Sequence, residues 1–557
     1  MFIIFILLAP YLLKIFIIGG AFYIDDSNSY IKILFNDSKV ILLCFFLYSL
    51  ANISNIKFFY TLRLFSFFIF ILYLIDTFLI LLFSTRLYYN DILNMFNDAF
   101  LLFDTSDIYF VLTLLFTVLL FSVFIQRKPI DKKSHKLLSY CFITLAVSVS
   151  LNFFPIKQST AREIFFQDYF SVNINTTKDK EYSDKFISSF TYSPIEQCST
   201  IQEKKPDSIY IFLVESWSNY HSAFFGNENN WTPNLDFTAK KNISMTNFHA
   251  NGFTTEAGLY SILTGNFPVL YKKKMKLDGA VGLTNFSNTK TLPKELSKYG
   301  YHSYFVTSGN LNFLDKGKWL REIGFSTIIG SDDFPKGSQR YLFNSVSDEE
   351  LFNKVSTLST DSTKSDSKLI VVENVSTHAP FYSPDKNGNI VQSEESAFLY
   401  TDKLLANLIS TIATPNNLVI VLSDHRAMTP VTSTEKQSSG LLAVSKVPAF
   451  MIWDDINIQI DEEFQQTDLM NSIVGLVSDQ QCFSDVLGSV FPVENAISPK
   501  CILHSRGDNR NIITAKCNQN FEAFNILLDG DNTRSINKKV DSKLALDIIN
   551  HSRIIQN

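Results

Sequence analysis

Three short segments, far apart in the chain, each place a ligand-type side chain where an apolar run stops or a helix should start. They are Glu215, closing the run 208–215; Thr254, in Asn251-Gly252-Phe253-Thr254-Thr255-Glu256; and Ser423-Asp424-His425-Arg426. Two carboxylates, a hydroxyl and an imidazole can bind one divalent cation, and such a cation activates the hydroxyl as a nucleophile. Thr254 also reads as a helix N-cap, because acidic and apolar residues follow it up to Gly265. The two readings are compatible. A hydroxyl at a helix N-terminus lies where backbone N–H groups favour an anion, as a phosphate ester formed on it would require. Thr255 is the competing nucleophile by position. His378, in Ser376-Thr377-His378-Ala379-Pro380-Phe381, follows another apolar run and suits orienting a phosphate or carrying a proton to a leaving oxygen. Taken singly, each of these residues is equally a cap or a surface charge. Their common place at the ends of apolar runs is what joins them.

The elements that must position them alternate. Strand-like runs at 209–214, 304–306, 369–372, 418–422 and 448–453 are rich in Ile, Val, Leu and Phe. Helical patterns lie at 233–241, 256–263, 292–299, 348–358 and 396–412. Such alternation predicts an α/β fold whose mainly parallel sheet is covered on both faces. Ligands in these sheets gather outside the carboxyl ends of the strands, where Glu215 and Asp424-His425 fall. Beyond about residue 477 the alternation ends, which predicts a small cap or a separate edge sheet. No GxxxxGK[ST], GxSxG, HExxH or GxGxxG pattern offers a different chemistry.

The 557 residues, 46% of them hydrophobic and 14% aromatic, divide into two unlike parts. Up to residue 154 the chain is dense in Phe, Ile and Leu. Runs at 2–24, 40–56, 64–83, 108–125 and 137–154 approach or reach the roughly 17–25 residues a membrane-spanning helix needs. The first reads as an uncleaved anchor. Arg127, Lys128, Lys132, Lys133 and Lys136 crowd the fourth connection, and Lys57 and Arg63 the second, which places both on the cytoplasmic side. Five spans then put the N-terminus inside and everything after residue 154 outside. Lys14 and Asp76 interrupt the runs, and read as a snorkelling lysine and an interfacial carboxylate. The expected organisation is a five-helix transmembrane domain (1–154), an amphipathic linker (155–206) with an aromatic stretch at 162–170, a catalytic domain (207–477) and a C-terminal subdomain (478–557).

Of 6 cysteines, Cys44 and Cys141 lie in expected spans. Cys198, Cys482, Cys501 and Cys517 lie in the exported part and predict two disulfides, with three possible pairings. A net charge of -5 gives no sign of a nucleic-acid partner.

These segments, read together, resemble a known family. Asp207–Glu215 with Ser216-Trp217-Ser218, Trp231-Thr232-Pro233-Asn234-Leu235-Asp236, and Asn247-Phe248-His249-Ala250-Asn251-Gly252-Phe253-Thr254-Thr255-Glu256 occur in that family's order. Ser261-Ile262-Leu263-Thr264-Gly265, Thr377-His378-Ala379-Pro380-Phe381 and Ser423-Asp424-His425-Arg426 continue it. The pattern is similar to the sulfatase-like phosphoglycerol transferases of the lipoteichoic acid synthase family. The resemblance implies an alkaline-phosphatase-like α/β/α sandwich holding a divalent metal, Mn2+ first, with Zn2+ or Mg2+ as alternatives. It implies Glu215, Thr254, Asp424 and His425 as ligands, Thr254 as nucleophile and His378 as a phosphate contact. Asn310 and Asn312 fall where the family places headgroup contacts, in a loosely matching stretch. The C/S-x-P-x-R motif of true sulfatases is absent around Thr254, which argues against sulfate-ester cleavage. The implied activity is transfer of phosphoglycerol from phosphatidylglycerol to an envelope glycan or glycolipid, outside a bacterial inner membrane, through a phospho-threonine. Alternatives are phosphoethanolamine transfer from phosphatidylethanolamine to lipid A or another glycan, a phosphodiesterase using water, and a catalytically silent membrane scaffold or sensor.

Overall fold

The computed structural model describes residues 11–12, 27–53, 56–83, 87, 188, 190–268, 290–361, 367–429, 431–507, 512–518, 522–529, 532–535 and 542–555. The chain forms two compact units, 1–178 and 179–557.

In the first unit, helices α1 (Ser27–Ile53) and α2 (Ile56–Phe83) pack on one another. Ser66 Oγ donates to the Cys44 carbonyl at 2.9 Å, so this helix pair joins a polar contact to its apolar seam. Among the described residues, Phe58–Thr77 is long and apolar enough to cross a membrane, and Ser38–Ala51 is a shorter apolar stretch. The runs expected at 40–56 and 64–83 fall on these two helices. Those at 2–24 (apart from 11–12), 108–125 and 137–154 lie outside the described residues, as do Lys14, Cys141, the basic loop at 127–136 and the aromatic stretch at 162–170. The second connection differs from expectation. Only residues 54–55 separate the helices, and Arg63 is buried on α2 with its guanidinium 3.1 Å from the centre of the Tyr48 ring. A guanidinium stacks on an aromatic face, so Arg63 serves packing rather than a loop charge. Asp76 is likewise buried and accepts the Leu87 amide at 2.8 Å.

The second unit is built on an eight-stranded sheet. Its strands are β1 (Ser208–Val214), β2 (Ile243–Met245), β3 (His302–Thr307), β4 (Thr327–Ile329), β5 (Lys368–Glu373), β6 (Asn417–Ser423), β7 (Ala449–Ile452) and β8 (Ile458–Ile460). The order across the sheet is β8-β2-β7-β6-β1-β5-β3-β4. β7 is antiparallel to both its neighbours, while the other pairings are parallel. The central strands are apolar throughout because both faces are covered. Ile209, Ile211 and Leu213 of β1 pack with α3 (Thr255–Thr264) on one side. Tyr210, Phe212 and Val214 pack with α4 (Asp348–Thr360) and α5 (Glu394–Ile412) on the other. Helix α6 (Thr467–Ser478) shares the α3 side through Leu469, Ile473 and Leu476. This is an α/β/α sandwich, and each such buried Ile, Leu or Phe contributes about 2 kcal/mol.

Beyond α6 the chain forms a separate antiparallel sheet of β9 (Cys501–Ser505), β10 (Ile512–Cys517), β11 (Phe524–Asp529) and β12 (Asn532–Ser535), packed by α7 (Lys543–Ile555). Two disulfides form. Cys501–Cys517 links directly opposed residues of β9 and β10. Cys198–Cys482 links the two-stranded ribbon of Gln197–Thr200 and Gln480–Phe483.

Candidate active site

Ser423 of β6 lies opposite Val214 of β1 in the parallel register, so the residues that follow them, Asp424 and Glu215, leave the same sheet edge side by side. Ser216 then turns sharply with φ 59°, a left-handed conformation that is uncommon for a residue with a Cβ. That turn aims its amide at Asp424 Oδ1 (2.9 Å) and its hydroxyl at Glu215 Oε1 (2.8 Å). From the next strand end, Asn374 Oδ1 accepts the Glu215 amide at 2.9 Å. Asn374 is itself held by Asp348, at the start of α4.

Glu215, Asp424 and His425 are all buried, and one ligand atom from each lies within 4.8 Å of the others. His425 Nδ1 donates to its neighbour's carbonyl, Arg426 O, at 2.9 Å. That leaves Nε2 facing Glu215 Oε1 at 3.2 Å and Asp424 Oδ2 at 3.5 Å. A backbone acceptor on the far nitrogen is how ligating histidines are usually oriented.

The hydroxyl that enters this cluster is that of Thr255. Its Oγ1 donates to Glu215 Oε2 at 3.1 Å and lies 3.5 Å from His425 Nε2. Thr254, expected to be both nucleophile and ligand, is the extended N-cap of α3, and its Oγ1 accepts the Ala257 amide at 3.3 Å. The different placing of the two hydroxyls has a local cause. The N-cap side chain folds back over the first turn, whereas the first helical residue projects its side chain beyond the helix end toward the strand termini.

Electrostatics favour a cation here. Asp424 Oδ1 accepts two backbone amides, Ser216 and His425, while Oδ2 is buried without a hydrogen-bond partner. Burial, and then the Glu215 charge, push Asp424 well above the usual carboxylate range. Burial acts on Glu215 in the same direction, but the neighbouring His425 outweighs it and holds Glu215 well below. Burial disfavours a charged His425, yet Asp424 and Glu215 keep it at about 10. Protons on His425 and Asp424 thus offset the Glu215 charge, and a divalent cation could take their place. The orphaned Asp424 Oδ2, Glu215, His425 Nε2 and the Thr255 hydroxyl form a donor set that fits such an ion.

Around this centre, His378 is half-buried, edge-on to Phe343, and near enough for its charge to lower Glu215. Asn310 Oδ1 accepts the Asn312 amide at 2.8 Å, and Asn312 is exposed, lining a surface cavity of about 210 Å³ with Asp315 and Arg321. Neither asparagine hydrogen-bonds to the cluster. Sequence reading missed Lys316, whose ammonium pairs with buried Glu373 at 2.6 Å. Burial opposes its charge, but Glu373, Glu256 and Glu215 raise it, so a fixed cation sits beside the cluster. No periodic pattern marks this pair, which is brought together from the end of β5 and a separate helix.

Gly258 shows how closely α3 must approach. A Cβ on it would stand 2.2 Å from the Asp424 carbonyl oxygen. Gly→Ala inside a helix ordinarily stabilises by about 0.5–1 kcal/mol. Here Gly258→Ala is expected to destabilise by about 1–3 kcal/mol, as overpacking does, and to lower activity by moving Thr255 off the cluster. Thermal melting and turnover of the variant check this, and a raised Tm with full activity would contradict it.

Residues 207–479 match the family described as Sulfatase. Among solved structures, a protein of the alkaline phosphatase superfamily from Vibrio parahaemolyticus is similar at 16% identity and TM-score 0.48, over 69% of this chain and 92% of that one. The lipoteichoic acid synthase LtaP from Listeria monocytogenes matches at 16% identity and TM-score 0.48, over 64% and 96%. The zinc complex of the C-terminal periplasmic domain of EcEptC from Escherichia coli matches at 17% and 0.37, over 53% and 88%. No curated protein matches the chain.

Proposed function

We propose that this chain, whose residues 207–479 match the sulfatase family, is a metal-dependent transferase that moves a phospholipid headgroup onto an envelope glycan or glycolipid. The observation that carries the reading is the Thr255 hydroxyl at the N-terminus of α3, hydrogen-bonded to Glu215 within the Glu215–Asp424–His425 cluster. Glu215, Asp424, His425 and Thr255 would hold the ion, Mn2+ first among candidates. When bound, it acts as a Lewis acid that lowers the pKa of the hydroxyl and offsets charge on the phosphoryl group. Thr255 Oγ1 attacks the phosphorus, and its proton is held at Glu215 Oε2. The Oγ1–P bond forms, the P–O bond to diacylglycerol breaks, and in this reading His378 protonates the departing oxygen. An acceptor hydroxyl, giving its proton to His378, then displaces Thr255 Oγ1 from the phosphorus, and Thr255 takes back the proton held at Glu215. The positive end of the α3 dipole and the Lys316 ammonium favour the phosphoryl oxygens throughout.

The donor we favour is phosphatidylglycerol. The membrane part, read as five spans over 1–154 and joined by the linker 155–206, would keep the catalytic domain beside its lipid outside the inner membrane. A specific observation supports a second donor. Glu256 and Glu373 flank Lys316, and Glu373 Oε2 is buried without a hydrogen-bond partner. Carboxylates there suit an ammonium headgroup such as that of phosphatidylethanolamine. A silent scaffold is disfavoured, because a chain without activity has no need to gather a complete ligand set around a hydroxyl.

The full chain in Mn2+ with phosphatidylglycerol or phosphatidylethanolamine vesicles is expected to release diacylglycerol from one of them. Release from phosphatidylethanolamine alone moves the donor to the second reading. Absence of diacylglycerol from both overturns the transferase reading.

A further inference from the structure

We infer that Gln466 is a positioning residue that fixes the distance between the nucleophile segment and the strand end carrying Asp424 and His425. The inference rests on the reading of Thr255 as the nucleophile, and deepens it. Phe464–Gln465 pairs in parallel with Phe248–His249, which delivers Gln465 and Gln466 alongside the segment leading into α3. The Gln466 side chain, fully buried, then bonds in two directions. Its Oε1 accepts the Asn251 amide at 3.0 Å, and its Nε2 donates to Ser423 O at 3.0 Å and Asp424 O at 2.6 Å. One amide group thus ties the approach to the nucleophile helix to the end of β6.

The Asn251 end is held from every side. Asn251 Nδ2 donates to Gln465 Oε1 (2.8 Å) and Leu503 O (2.9 Å), and its Oδ1 accepts the Thr467 amide (3.0 Å). The Asn251 carbonyl accepts the Ser505 amide at 2.8 Å, and the Ala250 carbonyl accepts from His504 Nδ1 at 2.8 Å. Gln465 Nε2 closes the network on Cys501 O at 3.1 Å, next to the disulfide of β9 and β10. The C-terminal sheet therefore does more than cover the domain: β9 braces the segment from which α3 starts. A buried polar network with its members paired specifies one arrangement, and the arrangement specified here is the placing of Thr255 against the cluster. Catalysis depends on such placement, since a misplacement of about 1 Å can cost about 100-fold in rate.

The test uses the full chain with Co2+ as the probe metal and Thr255→Ala as the reference. Gln466→Met keeps the length of the side chain and removes its hydrogen bonds. Gln466→Asn keeps the amide but is too short to reach both partners, and carries the test should the first variant fail to fold. Both are expected to shift the visible Co2+ spectrum from that of the wild type toward that of Thr255→Ala, with Co2+ still bound. On lipid vesicles kcat is expected to fall about 100-fold with KM little changed, the signature of lost positioning rather than lost binding. A wild-type Co2+ spectrum in the Gln466 variants overturns the inference, as do identical spectra for the wild type and Thr255→Ala. If the wild type transfers no headgroup, the proposed function falls while the Co2+ spectra still decide the role of Gln466.

Discussion

Thr255→Ala is expected to abolish headgroup transfer, and Thr254→Ala to leave most of it. Loss of a covalent nucleophile removes the route through the intermediate, and such losses reach about 1,000-fold or more. The Thr255 hydroxyl touches Glu215 and His425, so no neighbouring group replaces it. Thr254 holds the Ala257 amide as an N-cap, and its removal costs about 1 kcal/mol of stability. The pair is thus separated by what each loses: Thr255→Ala keeps its Tm and loses turnover, whereas Thr254→Ala loses a few degrees and keeps turnover. Assays of both variants at equal metal occupancy check this. An inactive Thr254→Ala beside an active Thr255→Ala would return the nucleophile to the N-cap position.

The second large effect concerns the cation. Chelation is expected to stop turnover and lower Tm, and Mn2+ to restore both. An ion bound only to the folded chain stabilises it by about 2.7 kcal/mol at a hundred times its Kd. Asp424→Asn sharpens the test. The asparagine Oδ1 can still accept the Ser216 and His425 amides. A buried carboxylate that burial and Glu215 push toward its neutral form is thereby replaced by a group with no charge to bury. Without metal, the variant should be at least as stable as the wild type. With Mn2+, it should show neither the rise in Tm nor activity. A metal-dependent Tm rise of wild-type size in Asp424→Asn would remove Asp424 from the ligand set.

The pattern of the sequence carried the sandwich well and the site less evenly. Runs such as 209–214 and 418–422 are apolar at every position, which only a strand buried on both faces requires. Their ends therefore marked Glu215 and Asp424-His425. The antiparallel sense of β7 was not legible, because a short buried strand looks the same in either direction. Thr254 and Thr255 were separated by one position, and a sequence pattern does not fix a helix start to within one residue. Lys316, Glu373 and Asn251 carry no local signature, since their roles come from partners 57 or more than 200 residues away. Arg63 misled for a related reason: a basic residue between apolar runs reads as a loop charge until an aromatic face, Tyr48, is seen beneath it.

The most direct measurement is the mass of the peptide carrying Thr255 after the full chain, loaded with Mn2+, is incubated with mixed phospholipids and quenched. A glycerophosphate adduct on Thr255, absent from Thr255→Ala, is the expected result, and an ethanolamine-phosphate adduct at the same residue would name the other donor. Turnover without any adduct on Thr255, persisting in Thr255→Ala, would contradict a covalent transferase built on this hydroxyl.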